Sequence, residues 1–288
     1  MELVRTLASV LKLRIGVAIT LCAMAGVAVS PGLAPAPVEL AVLAFAVLLS
    51  SASAGAFNHY VERDLDARMS RTRLRPFVTG RFKPGPAWLA GIALMLLVAV
   101  AAAAAVVNAA AAAHVFLGAF VYGVVYTVWL KRRTWLNIVL GGLAGSFAVL
   151  AGAAAVDPAL APAPAVLAVV LFLWTPPHFW SLAFAYRRDY AEARVPMLPV
   201  VIGARRAALV ILGHTVVLVA LSLALALLGM GWIYLAGAAV GGVLFLRTSL
   251  DLAREPSTRN AMRNFRASLL QLGLILVAAP LDAWLLGA

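Results

Sequence analysis

Asn58, Glu62 and Asp66 recur at four-residue intervals in the string Asn58-His59-Tyr60-Val61-Glu62-Arg63-Asp64-Leu65-Asp66. On an α-helix that spacing drifts by only roughly 40° per step, so the three side chains line one face while Asp64 points elsewhere. Aligned oxygen donors suit a hard cation such as Mg²⁺, which is commonly held by one or two carboxylates together with substrate phosphates. Arg68, Arg71, Arg73 and Arg75 follow directly, and guanidinium forks match phosphate oxygens bidentately. Carboxylates, metal and arginines together would form an electrostatic clamp for a diphosphate leaving group. A loop that served only to orient a chain in a membrane would carry the arginines, but would not need Asn and acids repeated at helical period.

A second polar cluster follows at Tyr186-Arg187-Arg188-Asp189-Tyr190-Ala191-Glu192-Ala193-Arg194. Asp189 and Glu192 share a helical face and could present another carboxylate pair, or could simply pair with Arg188 and Arg194. Just upstream, Trp174-Thr175-Pro176-Pro177-His178-Phe179-Trp180 is expected to break an apolar helix, since prolines remove backbone donors and are tolerated at membrane depth where protein or a cavity surrounds the freed carbonyls. His178 in that break is an intramembrane ionisable residue, which marks either a functional site or a hydrogen-bonded packing histidine. His59, His114 and His214 rank below it. The single cysteine, Cys22, excludes an internal disulfide, and no Cys/His spacing fits a metal.

The elements that must position these residues are membrane helices. The chain is 64% hydrophobic and 12% charged, with a mean hydropathy of +1.00, far from the roughly 25% charged content of soluble domains. Nine stretches long enough to cross a ~30 Å hydrocarbon core run Arg14–Ser30, Val38–Phe57, Ala87–Val107, Ala109–Leu130, Trp135–Val156, Ala163–Tyr186, Ala207–Gly229, Trp232–Leu250 and Ala267–Leu286. All 23 Lys and Arg residues lie before or at the start of the first stretch, or at the end of or after the second, fourth, sixth and eighth, with Arg14 and Arg247 just inside the stretch edges. The opposite connections hold none, with only Glu39 and Asp157 as nearby charges. Basic loops stay on the cytoplasmic side, so the expectation is an all-α polytopic membrane protein with its amino terminus in the cytoplasm and its carboxyl terminus outside. The net charge of +12 is then a topology signal, and nucleic-acid binding, which needs a basic patch on a soluble fold, is excluded. Residues 1–288 read as one membrane domain, with the first apolar stretch retained as a helix instead of being a cleaved signal. Trp129, Trp135, Trp232 and Trp284 fall at stretch edges, as an interfacial aromatic belt requires.

At these residues the chain resembles the UbiA-type intramembrane prenyltransferase superfamily, and within it the protoheme IX farnesyltransferase (haem O synthase) branch. Asn58 to Pro76, with Arg63-Asp64, Asp66, Met69, Arg71-Thr72 and Arg75-Pro76, is similar to the first aspartate-rich motif and its Arg-Thr-x-x-Arg-Pro tail. Thr175 to Trp180, Asp189-Tyr190 and Val195 to Val200 resemble the second signature, and Tyr126-Thr127, Leu130 to Arg132, Thr134, Asn137-Ile138 and Gly141-Gly142 the mid-chain loop. The sequence departs from the superfamily pattern at Glu62 and His59, where Asp is usual, at Trp135 and Gly145 to Ala148, which lack expected prolines, and at Ala193, where the second motif's later aspartate is missing. The resemblance implies nine helices bundled around a lipid-accessible central cavity capped by cytoplasmic loops, with farnesyl diphosphate and haem B as substrates. It implies Mg²⁺ held by Asn58, Glu62 and Asp66 with Asp189 as a further ligand, diphosphate departure assisted by Arg71, Arg75 and Lys131, and a haem contact at His178. A composition rich in Ala and Arg with no organellar transit peptide points to a bacterial inner membrane, and a contact with a haem A synthase is a family expectation with no basis in the sequence itself. A sister enzyme acting on an aromatic or quinone precursor, and a transporter, are the alternatives.

Overall fold

The computed structural model describes residues 2–286, and among these every regular element is helical. A short amphipathic helix, α1 (Glu2–Val10), meets α2 (Leu13–Ala28) at a bend of 51°. The chain continues as α3 (Pro37–Val61), a single turn α4 (Arg63–Asp66), α5 (Pro86–Val106) and α6 (Ala109–Phe120), which runs without interruption into a π-helix at Val121–Leu130. Then follow α7 (Asn137–Gly141), α8 (Leu143–Val156), α9 (Pro162–Ala185), α10 (Arg187–Glu192), α11 (Leu198–Val201), α12 (Ala204–Ala224), α13 (Trp232–Arg254) and α14 (Thr258–Leu286). Eight of the described helical segments are long and apolar enough to span, and the bent α1–α2 pair makes up to nine.

The spans close into a ring. Each packs on the next in the order α2, α3, α5, α6, α8, α9, α12, α13, α14, and α14 returns to α2. Further contacts cross the ring, the most extensive being α2 with α8 and α9 with α14. Outward faces are apolar, with Leu94, Leu97, Val240 and Val243 exposed, as hydrocarbon contact allows. Polar groups turn inward: fully buried Asp282 on α14 accepts hydrogen bonds from the Gly231 and Tyr234 amides at 2.5 and 3.0 Å, satisfying donors at the start of α13.

Several boundaries differ from the sequence reading. Asn108 does separate the third and fourth spans, because its side chain caps α6 through the Ala111 amide at 2.8 Å and reaches the Ala154 carbonyl at 2.7 Å. The proline pair does not break α9, which is continuous through Pro176 and Pro177. The break lies across the interface, at Gly142 between α7 and α8, where a side chain would come within 3.2 Å of the Phe172 carbonyl. That carbonyl is the one left without its helical donor by Pro176, so a bare glycine backbone packs where the proline step needs room. The last helix starts at Thr258, nine residues before the apolar stretch that marks it in sequence, because Arg259, Arg263 and Arg266 extend it beyond the bilayer.

The tightest crossing is between α2 and α8. A Cβ on Gly26 would strike the Val149 carbonyl and one on Gly152 the Ala23 carbonyl, so the two backbones touch, as small residues permit in membrane bundles. Gly152→Ala should lower the thermal midpoint of the detergent-purified protein, at a cost of about 1–3 kcal/mol from overpacking. Gly145→Ala on the same helix, where a Cβ meets nothing within 4 Å, should leave it unchanged. Equal midpoints for the two variants would contradict the close crossing.

Candidate functional site

At the end of α3 the helical hydrogen bonds pass through the bend at Glu62: its amide reaches the Asn58 carbonyl at 3.0 Å, and the Asp66 amide reaches the Glu62 carbonyl at 2.8 Å. Asn58, Glu62 and Asp66 therefore stay on one side, and all three are buried, at 2%, 1% and 3% exposure. They face a polar vestibule of about 1170 Å³ lined by seven basic and three acidic side chains. That excess of positive charge, focused in a concave site, suits a polyanion.

Each of the three is engaged by a cation from a different part of the chain. Lys12 Nζ donates to Asn58 Oδ1 at 2.6 Å, Lys131 Nζ to Glu62 Oε2 at 2.5 Å, and Arg75 Nη1 to Asp66 Oδ2 at 2.7 Å. The Asn58 amide nitrogen donates to Thr127 Oγ1 at 3.0 Å. Asp64 points away, as its position between the aligned residues predicts, and pairs with Arg132 through both carboxylate oxygens at 2.7 and 2.8 Å. The Arg132 hydrogen bonds hold the Asp64 carboxyl below the usual carboxylate range despite its partial desolvation. This pair ties α4 to the loop after the π-helix.

The π-helix explains how Lys131 reaches Glu62. Lys131 lies nine residues after Tyr122, about two and a half turns of an α-helix, which would put the two on opposite sides. Wider winding, with the Lys131 amide bonded five residues back to the Tyr126 carbonyl at 2.9 Å, brings Tyr122, Tyr126 and Lys131 to the same vestibule, a use typical of π segments at functional sites. Tyr122 and Tyr126 stack at 5.5 Å, and Lys131 lies 5.5 Å from the Tyr126 ring centre.

The remaining residues singled out in sequence divide. Arg71 lines the vestibule and lies 5.8 Å from the Tyr186 ring centre, whereas Arg68 and Arg73 are exposed outside it. Asp189 is not brought to the vestibule with the other acids. Its Oδ2 accepts a hydrogen bond from Ser70 at 2.6 Å, and α10 turns buried Tyr190 to the cavity in its place. Glu192 is exposed. Among the described residues no three His, Cys, Asp or Glu side chains cluster in a way that could hold a metal ion by themselves. A cation here would have to rely on Asn58, Glu62 and Asp66 and complete its shell with a ligand's phosphates, as Mg²⁺ commonly does. One atom supports that fit: Glu62 Oε1 is buried and has no hydrogen-bond partner, and a desolvated carboxylate oxygen is costly unless it is kept for a ligand. His59, also buried on the vestibule wall, has an unpartnered Nδ1.

Below the vestibule lies a second chamber of about 420 Å³, lined mainly by apolar side chains of α2, α3, α6, α8, α9 and α14. The two share Lys12, Arg14, Ile15, Tyr122 and Phe179, which form a neck between them. His178 lines the lower chamber, its ring sandwiched between Trp174 and Phe265 at 4.2 and 4.5 Å. Ser268 Oγ lies 2.7 Å from both the Phe265 carbonyl and His178 Nδ1. With the hydroxyl proton given to the carbonyl, the imidazole donates from Nδ1, and Nε2, with no protein partner among the described residues, keeps its lone pair. Sequence reasoning missed Lys12 and Tyr122 and met Tyr126 only within the mid-chain loop that carries the resemblance. Lys12 was absorbed into the charge rule, but the 122, 126, 131 spacing was a visible signal of non-α winding.

The pattern of the UbiA prenyltransferase family matches residues 19–272. The chain is 56% identical to "Protoheme IX farnesyltransferase 2" of Paramagnetospirillum magneticum over 98% of both chains. It is 49% identical to that organism's "Protoheme IX farnesyltransferase 1", over 85% of this chain and 87% of the relative. Among solved structures, its fold is similar to one described for digeranylgeranylglyceryl phosphate synthase, with a TM-score of 0.79 at 18% identity, covering 98% of this chain and 99% of that one. It is also similar to a UbiA homologue from Archaeoglobus fulgidus bound to DMAPP and Mg²⁺, with a TM-score of 0.70 at 17% identity over 94% of this chain and 99% of the other.

The buried Glu62–Lys131 pair is testable in isolation. Lys131→Met should destabilise the metal-free protein by about 3–5 kcal/mol, the cost of stranding a buried charge. The double variant Lys131→Met/Glu62→Gln should recover most of that loss in the same thermal melts. Single and double variants with equal losses would mean the two groups do not depend on each other.

Proposed function

Because the chain belongs to the UbiA prenyltransferase family, we propose that it transfers the farnesyl group of farnesyl diphosphate to a vinyl group of haem B, with addition of water, giving haem O and diphosphate. The near full-length likeness to the Paramagnetospirillum farnesyltransferases supports the choice of acceptor. The reaction class rests on one arrangement, an anion-attracting vestibule joined by a neck to an apolar chamber. A prenyl diphosphate has the same two halves. The same reading places the enzyme in a bacterial inner membrane and, on the resemblance alone, next to a haem A synthase.

Asn58, Glu62 and Asp66 would hold Mg²⁺, with the unpartnered Glu62 Oε1 as the readiest ligand. The metal would neutralise charge accumulating on the departing diphosphate. Arg71, Arg75 and Lys131 line the same vestibule and add positive charge there for the diphosphate oxygens. The C1–oxygen bond breaks with its electron pair leaving on the diphosphate. The vinyl π pair of the haem then forms the new carbon–carbon bond, and water captures the resulting cation and loses a proton. The apolar chamber keeps bulk water from the allylic cation before the vinyl group reaches it. Asp189, held by Ser70 outside the vestibule, is not needed in this ligand set. His178 is the haem contact, its Nε2 lone pair available to the iron as a histidine ligand and its ring plane set by Trp174 and Phe265.

Purified protein incubated with haem B, farnesyl diphosphate and Mg²⁺ should yield hydroxyethylfarnesyl haem by mass spectrometry. Asp66→Ala should abolish it, and product undiminished in that variant would remove Asp66 from the site. Arg75→Lys, which keeps the charge but loses the planar fork, should lower kcat/KM roughly 10- to 100-fold. Absence of haem product from folded wild-type protein that still turns over farnesyl diphosphate with a quinone precursor would reassign the acceptor. Haem B added to the wild type should give a Soret shift that His178→Ala loses and imidazole restores.

A further inference from the structure

Lys12 is one of only two non-glycine residues with positive φ among those described, at 49°. Backbone in the left-handed region is unfavourable for a side chain bearing a Cβ and persists where the surroundings over-determine it. Here the hinge between α1 and α2 is pressed against α3: a side chain on Gly55 would come within 3.2 Å of the Leu11 carbonyl and of Lys12 Cβ. The consequence is the position of the ammonium. It crosses the neck, bonding Asn58 Oδ1 on α3 at 2.6 Å and Tyr122 Oη on the π-helix at 2.9 Å. It thus occupies the one amide oxygen of the candidate metal-binding set and lies where the two chambers join.

Asn58 Oδ1 cannot accept a short ammonium hydrogen bond and ligate a dication 2–2.1 Å away without the two positive charges repelling each other. We propose that Lys12 is a movable plug: in the resting protein its ammonium stands in for the metal on Asn58 and closes the neck with Tyr122, and arrival of a metal diphosphate transfers it from Asn58 to a diphosphate oxygen, opening the neck to the prenyl chain. This rests on Asn58 being a metal ligand. The flexible lysine stem supplies the travel, while the hinge itself stays packed on α3 through buried Val10 and Ala56.

The plug makes opposite demands on two equilibria. With Mn²⁺ alone, read by electron paramagnetic resonance, Lys12→Met should bind the ion roughly 10- to 100-fold more tightly than wild type, because the competing charged hydrogen bond is gone. With Mn²⁺ and inorganic pyrophosphate together, the same variant should hold pyrophosphate roughly 10- to 100-fold more weakly, because a cation that would meet it is gone. Tyr122→Phe, which removes one anchor and leaves the amide ligand intact, should shift Mn²⁺ affinity in the same direction by a smaller factor and serves if Lys12→Met does not fold. Lower or equal Mn²⁺ affinity in both variants, with the ion still lost in Asn58→Ala, would overturn the plug and leave the metal site standing. Mn²⁺ binding that survives Asn58→Ala unchanged would overturn the ligand assignment and the plug together.

Discussion

Glu62 is a carboxylate at 1% exposure on a helix that has just crossed a membrane, and a charge in that position must be paired or abandoned. The penalty for stranding it is several kcal/mol. The one strained residue used to pair its neighbours, Lys12 at φ 49°, costs about 1–3 kcal/mol. The comparison favours distortion, and the fold distorts in three places. A positive-φ hinge delivers Lys12, a π-helix delivers Lys131, and a chain of tight turns after α4, pinned by the Thr72 hydroxyl on the Asp66 carbonyl at 3.1 Å, returns Arg75 to Asp66. The ring of regular spans is the frame within which these departures are affordable.

The same constraint separates the two chambers. Basic residues gather where the loops converge at one end of the bundle, while the lower chamber is walled by Ala, Ile, Leu and aromatic side chains. A substrate that is ionic at one end and hydrocarbon at the other finds each half its own solvent, with the bond to be broken at the boundary. Low dielectric at that boundary strengthens every arginine and lysine facing it, and the apolar wall keeps away the nucleophile that would otherwise arrive first. Rigidity comes from the α2–α8 contact, where Gly26 and Gly152 let backbones touch and leave no slack.

Much of this was readable from residue order, and what was not has physical causes. Charge sidedness and apolar periods set the helices, with the largest shifts at the start of α14, which begins at Thr258, and at the α1–α2 bend, because helices outrun the bilayer wherever charged residues continue them. The four-residue spacing of Asn58, Glu62 and Asp66 placed them together since the helical bonds survive the bend at Glu62. Lys12 was hidden because a lysine beside an apolar stretch satisfies the topology rule whether or not it turns inward. Asp189 went the other way for a reason no spacing contains: which face of the six-residue α10 meets the cavity is set by Tyr190 burying itself in the core with Phe184, Val195 and Met197. The proline pair promised a broken helix, yet the break fell on Gly142 of the neighbouring helix, because packing decides which partner yields.

In the metal-free protein every acid of the first motif is already neutralised from within, Glu62 by Lys131 and Asp66 by Arg75, with Lys12 on the adjoining amide. In the proposed reading, a metal diphosphate does not enter an empty charged cavity. It exchanges partners: carboxylates pass from ammonium and guanidinium to metal, and those cations pass to phosphate oxygens, with the number of opposite-charge contacts roughly conserved. Net affinity is then a difference between two paired states and stays moderate even though each contact is strong. A site built this way releases its diphosphate by reversing the exchange, with its own cations replacing the product on the acids. Self-neutralisation of the resting site therefore keeps the folded state stable and prevents the clamp from becoming a trap.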